Sequence, residues 1–150
     1  MPSCTVELAL QAPFGRVYAF EINDDALRVL KQNIAHFDLS NVTVVAGDAR
    51  ERLKDIETPP NYAFIGGTKG RLAAILDELY GKNEACAVVV TAITIETLAA
   101  LTTYYGSHPG YDFDITQVSA ARSQKVGASH LMMAQNPIFI VTIVRRSDVS

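Results

Sequence analysis

Two carboxylates placed at the ends of consecutive apolar segments are the residues of this chain best suited to do chemistry. Glu21 lies at the end of Gly15-Arg-Val-Tyr-Ala-Phe-Glu-Ile-Asn23, and Asp48 at the end of Val42-Thr-Val-Val-Ala-Gly-Asp-Ala49. Each segment reads as a strand followed by an acidic tip, the position at which open α/β sheets bind nucleotide-like ligands. A carboxylate at the first tip suits the acceptance of hydrogen bonds from ribose hydroxyls, and one at the second suits an adenine amino group. Asn23, Gly47 and Ala49 border these two acids and belong to the same candidate cofactor site. Gly66 and Gly67, after the apolar Tyr62-Ala-Phe-Ile65, would let a backbone approach a ligand closely. Each residue also has a plainer role. Glu21 would favour the positive end of a helix, Asp48 would serve as a turn or N-cap residue, and the glycines would supply turns of positive φ.

The elements that must position these residues alternate. Residues 3–12 suit a short helix, Arg16 to Phe20 a strand, and Asn23-Asp24-Asp25 the capped start of a second helix. Leu27, Leu30, Ile34 and Phe37 recur at helical spacing, which predicts one apolar stripe. Val42–Ala46 is the next strand, followed by a weaker helical piece over Ala49–Asp55 and a break at Glu57-Thr-Pro-Pro60. Tyr62–Ile65 is a strand. The helix after it carries Leu72, Ile75, Leu76 and Leu79 on one face and stops at Gly81. Ala85–Ile93 is a buried strand, and Thr94 begins a helix that turns Leu98 and Leu101 inward. Strands separated by helices predict a mainly parallel sheet. The end departs from this rhythm: Tyr111–Arg122 and Pro137–Arg145 read as an antiparallel pair joined by a loop, Ser123–Asn136, long enough to act as a lid.

Composition narrows the class. The chain has 150 residues, of which 49% are hydrophobic, enough for one domain with a sizeable core. A net charge of -3 without a basic stripe argues against nucleic-acid binding. The two cysteines, Cys4 and Cys86, form neither a metal-ligand pattern nor a disulfide framework, and Cys86 reads as a small core residue. No metal is expected. No charged-then-apolar leader precedes Pro2, and the run Ala85–Ile93 is about half of a membrane span, so a cytoplasmic protein without a membrane segment is expected.

Beyond the acidic tips, Phe64-Ile-Gly-Gly-Thr-Lys-Gly-Arg-Leu72, Thr91-Ala-Ile-Thr-Ile-Glu-Thr-Leu98, Gln117-Val-Ser-Ala-Ala-Arg-Ser123 and Asn136-Pro-Ile-Phe-Ile-Val141 carry a specific likeness. Together with the first two segments they resemble successive blocks of the corrin-pathway methylases that methylate carbon 15 of precorrin-6B, or its cobalt form, and decarboxylate the neighbouring acetate. The resemblance covers nearly the whole chain. It implies an α/β fold: a three-layer Rossmann-like methyltransferase sheet, mostly parallel, with a C-terminal antiparallel strand pair. It further implies S-adenosyl-L-methionine as cofactor, a tetrapyrrole corrin precursor as substrate, homo-oligomerisation, and possible association with the carbon-5 methylase. Two departures accompany it. The family's glycine-rich first motif would stand just before Ser3 and is not in the sequence, so a fold lacking the first strand is expected. Thr91 stands where such enzymes commonly carry Asn.

The same resemblance gives the basic residues a task. Lys69, Arg71, Arg122 and Lys125 would meet the carboxylates of the substrate, since a guanidinium makes paired hydrogen bonds with them. His130, in the expected loop, would donate to a substrate carboxylate or move a proton. Exposed basic side chains with no task are the plainer account. His36 suits the C-terminal end of a helix, and Met132 and Met133 suit apolar contacts. No catalytic dyad is visible, as expected for transfer from an already reactive sulfonium, where positioning supplies most of the acceleration. Two other readings compete: a non-catalytic remnant of the fold used for assembly, and a nicotinamide-dependent oxidoreductase. The terminal antiparallel pair and the Gly-Asp-Ala tip disfavour the latter.

Overall fold

The structure, a computed structural model, describes residues 2–68 and 70–147. The chain packs as two compact units, Met1–Thr58 and Pro59–Ser150.

The first unit contains α1 (Pro2–Gln11), β1 (Val17–Glu21), α2 (Asp24–His36), β2 (Val42–Ala46), α3 (Ala49–Arg52) and a 3-10 turn over Leu53–Asp55. β1 and β2 are parallel, in register from Val17 opposite Val42 to Glu21 opposite Ala46. α2 begins as its sequence demands: the Asn23 side chain accepts the Ala26 N–H at 2.9 Å, and Asp24 and Asp25 occupy the positive first turn. His36 lies in its last turn, where a cation is favoured. The predicted stripe holds only in part. Leu30 is buried and Leu27 and Ile34 are half-buried, but Phe37 is 49% exposed against the edge of His36. The helix ends at His36, and Phe37, with φ -95° and ψ 6°, has left the spiral that would have turned it inward.

Asn41 has a role that its position after a helix conceals. Its side-chain amide donates to the carbonyl of Ala9 (2.9 Å), an acceptor in the last turn of α1 that the helix itself leaves unpaired, and to that of Ala12 (2.8 Å), which also accepts the Gly15 N–H. Asn41→Ala is expected to destabilise the protein by about 1–3 kcal/mol. Chemical denaturation measures this, and an unmoved midpoint would show that water replaces the amide at no cost.

The second unit contains β3 (Tyr62–Ile65), α4 (Leu72–Lys82), β4 (Ala87–Ala92), α5 (Ile95–Gly106), β5 (Tyr111–Val118), β6 (Ala121–Val126), β7 (Ser129–Ala134) and β8 (Ile138–Arg145). β3 and β4 are parallel, and β8 runs antiparallel between β4 and β5, giving the order β3-β4-β8-β5. Leu76, Leu79, Cys86, Val88, Val90, Leu101, Val141 and Ile143 form its buried centre. α5 starts where Thr94 Oγ1 accepts the Thr97 N–H.

The stretch Ser123–Asn136 is not the loop its composition predicts. It lies largely within an antiparallel hairpin, β6 with β7, closed by the two-residue turn Gly127-Ala128. Gly127 has φ 62° at the first central position, the conformation a type II′ hairpin turn requires of that residue. The expected strand over Tyr111–Arg122 correspondingly ends at Val118, and Arg122 belongs to β6. Every residue of the hairpin is exposed, so no buried face marks it as strand. Met132 (68% exposed) and Met133 (48%) therefore make no core or pocket contact of the kind their type predicts. Along β8, Ile143 is buried, Ile140 half-buried and Ile138 exposed.

The hydroxyls of Tyr80 and Tyr105 share a 2.7 Å hydrogen bond, and Tyr104 donates to Asp77 Oδ1 at 2.8 Å. Burial raises the pKa of all three tyrosines, and it pushes the Cys86 thiol from 9.0 up to about 11. An acid with a raised native pKa stays protonated while the unfolded chain has already ionised, so the unfolded state binds fewer protons and stability falls with pH. Stability is accordingly expected to decline from pH 9.0 toward about 11 through Cys86, with the tyrosines adding to the fall above pH 10.0. Urea midpoints at successive alkaline pH values test this, and a flat profile would contradict it.

Candidate functional site

The first unit gathers one set of candidates at the carboxyl end of its parallel ladder. Glu21 ends β1 opposite Ala46, and the Gly47 N–H donates to the Glu21 carbonyl at 2.9 Å, tying the two strand tips together. Glu21 Oε1 accepts the N–H groups of Ile22 and Asn23, both at 2.9 Å, which holds the carboxylate at the tip. Asp48 is the N-cap of α3: its Oδ1 accepts the Arg50 N–H at 3.0 Å. Its Oδ2 takes Nε and Nη2 of the Arg50 guanidinium at 3.1 and 2.8 Å, a hydrogen-bonded pair that raises the Arg50 pKa. Gly47 has φ 126°, a conformation that requires glycine, and a Cβ there would stand 3.1 Å from Arg52 Cγ, so the Arg52 side chain would have to give slightly as well. Ala49 opens α3 and Asn23 caps α2. Glu21, Asn23, Gly47, Asp48 and Ala49 thus come together as one acidic edge bordered by two helix starts. Carboxylates set at strand tips are the acceptors that the hydroxyls of a ribose and an exocyclic amine need, so the residues present fit an adenosyl group.

The second unit holds the remaining candidates. Gly66 and Gly67 follow β3, and Gly67 has φ 44° with open space around its Cβ position, so backbone conformation is the constraint there. Arg71 is the N-cap of α4, and its Nε donates to the Thr68 carbonyl at 3.3 Å. Lys69 lies outside the described residues. Lys125 and His130 stand directly opposite each other in the hairpin, whereas Arg122 stands opposite Met133. Because neighbouring residues alternate between faces, Arg122 projects from the face opposite that of Lys125 and His130. The hairpin therefore divides this basic group in two.

Sequence reasoning counted Ile93 into a buried strand and gave Ile95 no role, but β4 ends at Ala92, and the two isoleucines flank the N-cap Thr94 at 60% and 79% exposed. The signal was available: apolar residues that outrun a strand's last ladder position and continue into a helix start. Among the described residues there is no cluster of three or more potential metal ligands, and no helix is long and apolar enough to cross a membrane.

Residues 2–145 match the family model of the precorrin methyltransferase domain. The chain belongs to this family. A relative from Methanocaldococcus jannaschii, described as a probable cobalt-precorrin-6B C(15)-methyltransferase (decarboxylating), is 36% identical over 94% of this chain and 73% of its own length. The crystal structure of a precorrin-6y C5,15-methyltransferase from Geobacter metallireducens superposes with a TM-score of 0.84 at 30% identity. The alignment covers 96% of this chain and 74% of that one. A precorrin-8W decarboxylase from Methanobacterium thermoautotrophicum gives a TM-score of 0.74 at 30% identity, covering 87% of this chain and 70% of that one. The fold is thus that of the Rossmann-like methyltransferases, and the chain is a member of an enzyme family.

Proposed function

We propose that this precorrin methyltransferase domain methylates carbon 15 of precorrin-6B or its cobalt form, with decarboxylation of the neighbouring acetate, using S-adenosyl-L-methionine. The observation that carries the reading is 36% identity with the archaeal relative over nearly the whole chain. S-adenosyl-L-methionine supplies an electrophilic methyl group, so the protein's share of the work is to bind, orient and exclude water. Glu21 accepts from the ribose hydroxyls, with its carboxylate preset by the Ile22 and Asn23 N–H groups. Asp48 accepts from the adenine amino group, and Gly47 and Ala49 shape the turn beside it; in the second unit, Gly66 and Gly67 leave the backbone after β3 open to close approach of a ligand. Arg71 and Arg122 meet carboxylates on the tetrapyrrole rim, as do Lys69 and His130.

The wholly exposed hairpin β6–β7 favours self-association, since an isolated two-stranded hairpin is at best marginally stable in water. Incubation with precorrin-6B and isotopically labelled S-adenosyl-L-methionine tests the reaction. A labelled product that has also lost carbon dioxide supports it. Unchanged tetrapyrrole from a cooperatively melting protein would favour a non-catalytic member of the fold.

A further inference from the structure

The face of the four-stranded sheet that lies away from its buried centre sorts its residues by row. Alternation along β4 buries Val88, Val90 and Ala92 and leaves Ala87, Val89 and Thr91 on the other side. There Val89 stands beside Thr142 and Asp114, and Thr91 beside Ile140 and Thr116. Ile93 follows Ala92, the last ladder residue of β4, which lies opposite Phe139, and the next residue of β8 back, Ile138, pairs with Val118. Polar members thus give way to a wholly apolar row at the end where the parallel strands β3 and β4 finish. That row lies in water: Ile93 is 60% exposed, Val118 46% and Ile138 39%, and Ile95 beyond the Thr94 cap reaches 79%. Exposed apolar residues gathered at one end of a sheet in this way mark a contact surface.

We propose that the row Ile93–Ile138–Val118, extended by Ile95, is the shelf on which the flat face of the tetrapyrrole substrate rests. The inference builds on the proposed reaction. The carboxyl end of parallel strands is where open α/β sheets receive ligands. From β4 across β8 to β5 the row spans two inter-strand spacings, roughly 10 Å, a breadth suited to a macrocycle. The charges also complement such a ligand, which pairs an apolar face with an anionic rim. Arg71 follows β3 at this same end of the sheet, and Arg122 follows Val118 by four residues, so guanidinium groups occur beyond both sides of the row. Glu96, in the first turn of α5, disfavours orientations that bring a rim carboxylate beside Ile95.

The test compares wild type with Ile93→Ser, Val118→Ser and the double variant, in steady-state kinetics with precorrin-6B, in calorimetric titration with S-adenosylhomocysteine, and in thermal unfolding. Each single change is expected to raise KM for the tetrapyrrole about 10-fold, while S-adenosylhomocysteine affinity and Tm stay unchanged. An unmoved KM overturns the proposal. A fall in Tm or a loss of assembly with KM unmoved does so too, and assigns the row to packing or to a second copy of the chain. If wild type fails to turn over precorrin-6B, the reaction itself is wrong. The shelf is then judged by binding of cobyrinic acid, a stable carboxylated corrin, and equal affinity for wild type and the double variant rejects it.

Discussion

Glu21→Ala is expected to weaken S-adenosylhomocysteine binding by about 1–3 kcal/mol, roughly 5- to 150-fold. The carboxylate is held at the end of β1 by two backbone N–H groups, so its position is fixed before any ligand arrives. Removing it withdraws the acceptor from the bound ribose, and a buried hydroxyl left without a partner costs more than an ordinary hydrogen bond contributes. Glu21→Gln keeps a side-chain oxygen and should lose less, because the charge alone is removed. Calorimetric titration of the three proteins, with thermal unfolding alongside, separates ligand loss from local unfolding. Undiminished affinity in a folded Glu21→Ala protein would take Glu21 out of the site.

The largest stability effect is expected at Leu76. It lies on α4, is 0% exposed, and sits in the same buried set as Leu101, Val88 and Ile143. Leu76→Ala removes three buried carbon atoms and leaves a cavity that the neighbouring branched side chains fill only in part. The expected loss is about 2–5 kcal/mol, which lowers Tm by roughly 2–4 °C for each kcal/mol at this chain length. Leu76→Met conserves volume and should cost less than about 1.5 kcal/mol. Equal losses for the two variants would show that shape rather than cavity formation governs this position.

Most helices and strands were legible in the sequence, and the reasons are local. Val42–Ala46 and Tyr62–Ile65 are short apolar runs bounded by turn residues, and both are strands with those bounds. Asn23 and Thr94 announce helix starts through their side chains, and both cap as their types dictate. The hairpin β6–β7 was illegible because strand recognition rests on one buried face, and Arg122 to Ala134 have none. Its one local signal is Gly127 in a two-residue turn. Phe37 was misplaced because periodicity does not say where a helix stops. At the candidate site, the acidic tips Glu21 and Asp48 were evident from chain position alone. The bonds from Ile22 and Asn23 to Glu21, and from Arg50 to Asp48, depend on backbone and rotamer geometry that spacing does not encode. Ile93 and Ile95 were hidden for another reason: an apolar residue at a strand end reads as core until its exposure is known.

The place of β8 bears on how the protein is made. Residues 138–145 are synthesised after every other described strand, yet they occupy an interior lane, bonded to β4 on one side and β5 on the other. β4 therefore leaves the ribosome 53 residues before its neighbour is complete (Ala92 to Arg145). At roughly 5–20 residues per second this is an interval of roughly 3–10 s. Throughout it one edge of β4 lacks its native partner, and β5 has no partner in the sheet at all. A stop codon anywhere upstream of Ile138 thus deletes both ladders together, where loss of a peripheral strand would merely trim the sheet. The nascent chain presents an open valine-rich edge until β8 slides in, a time window in which a holding chaperone has something to hold.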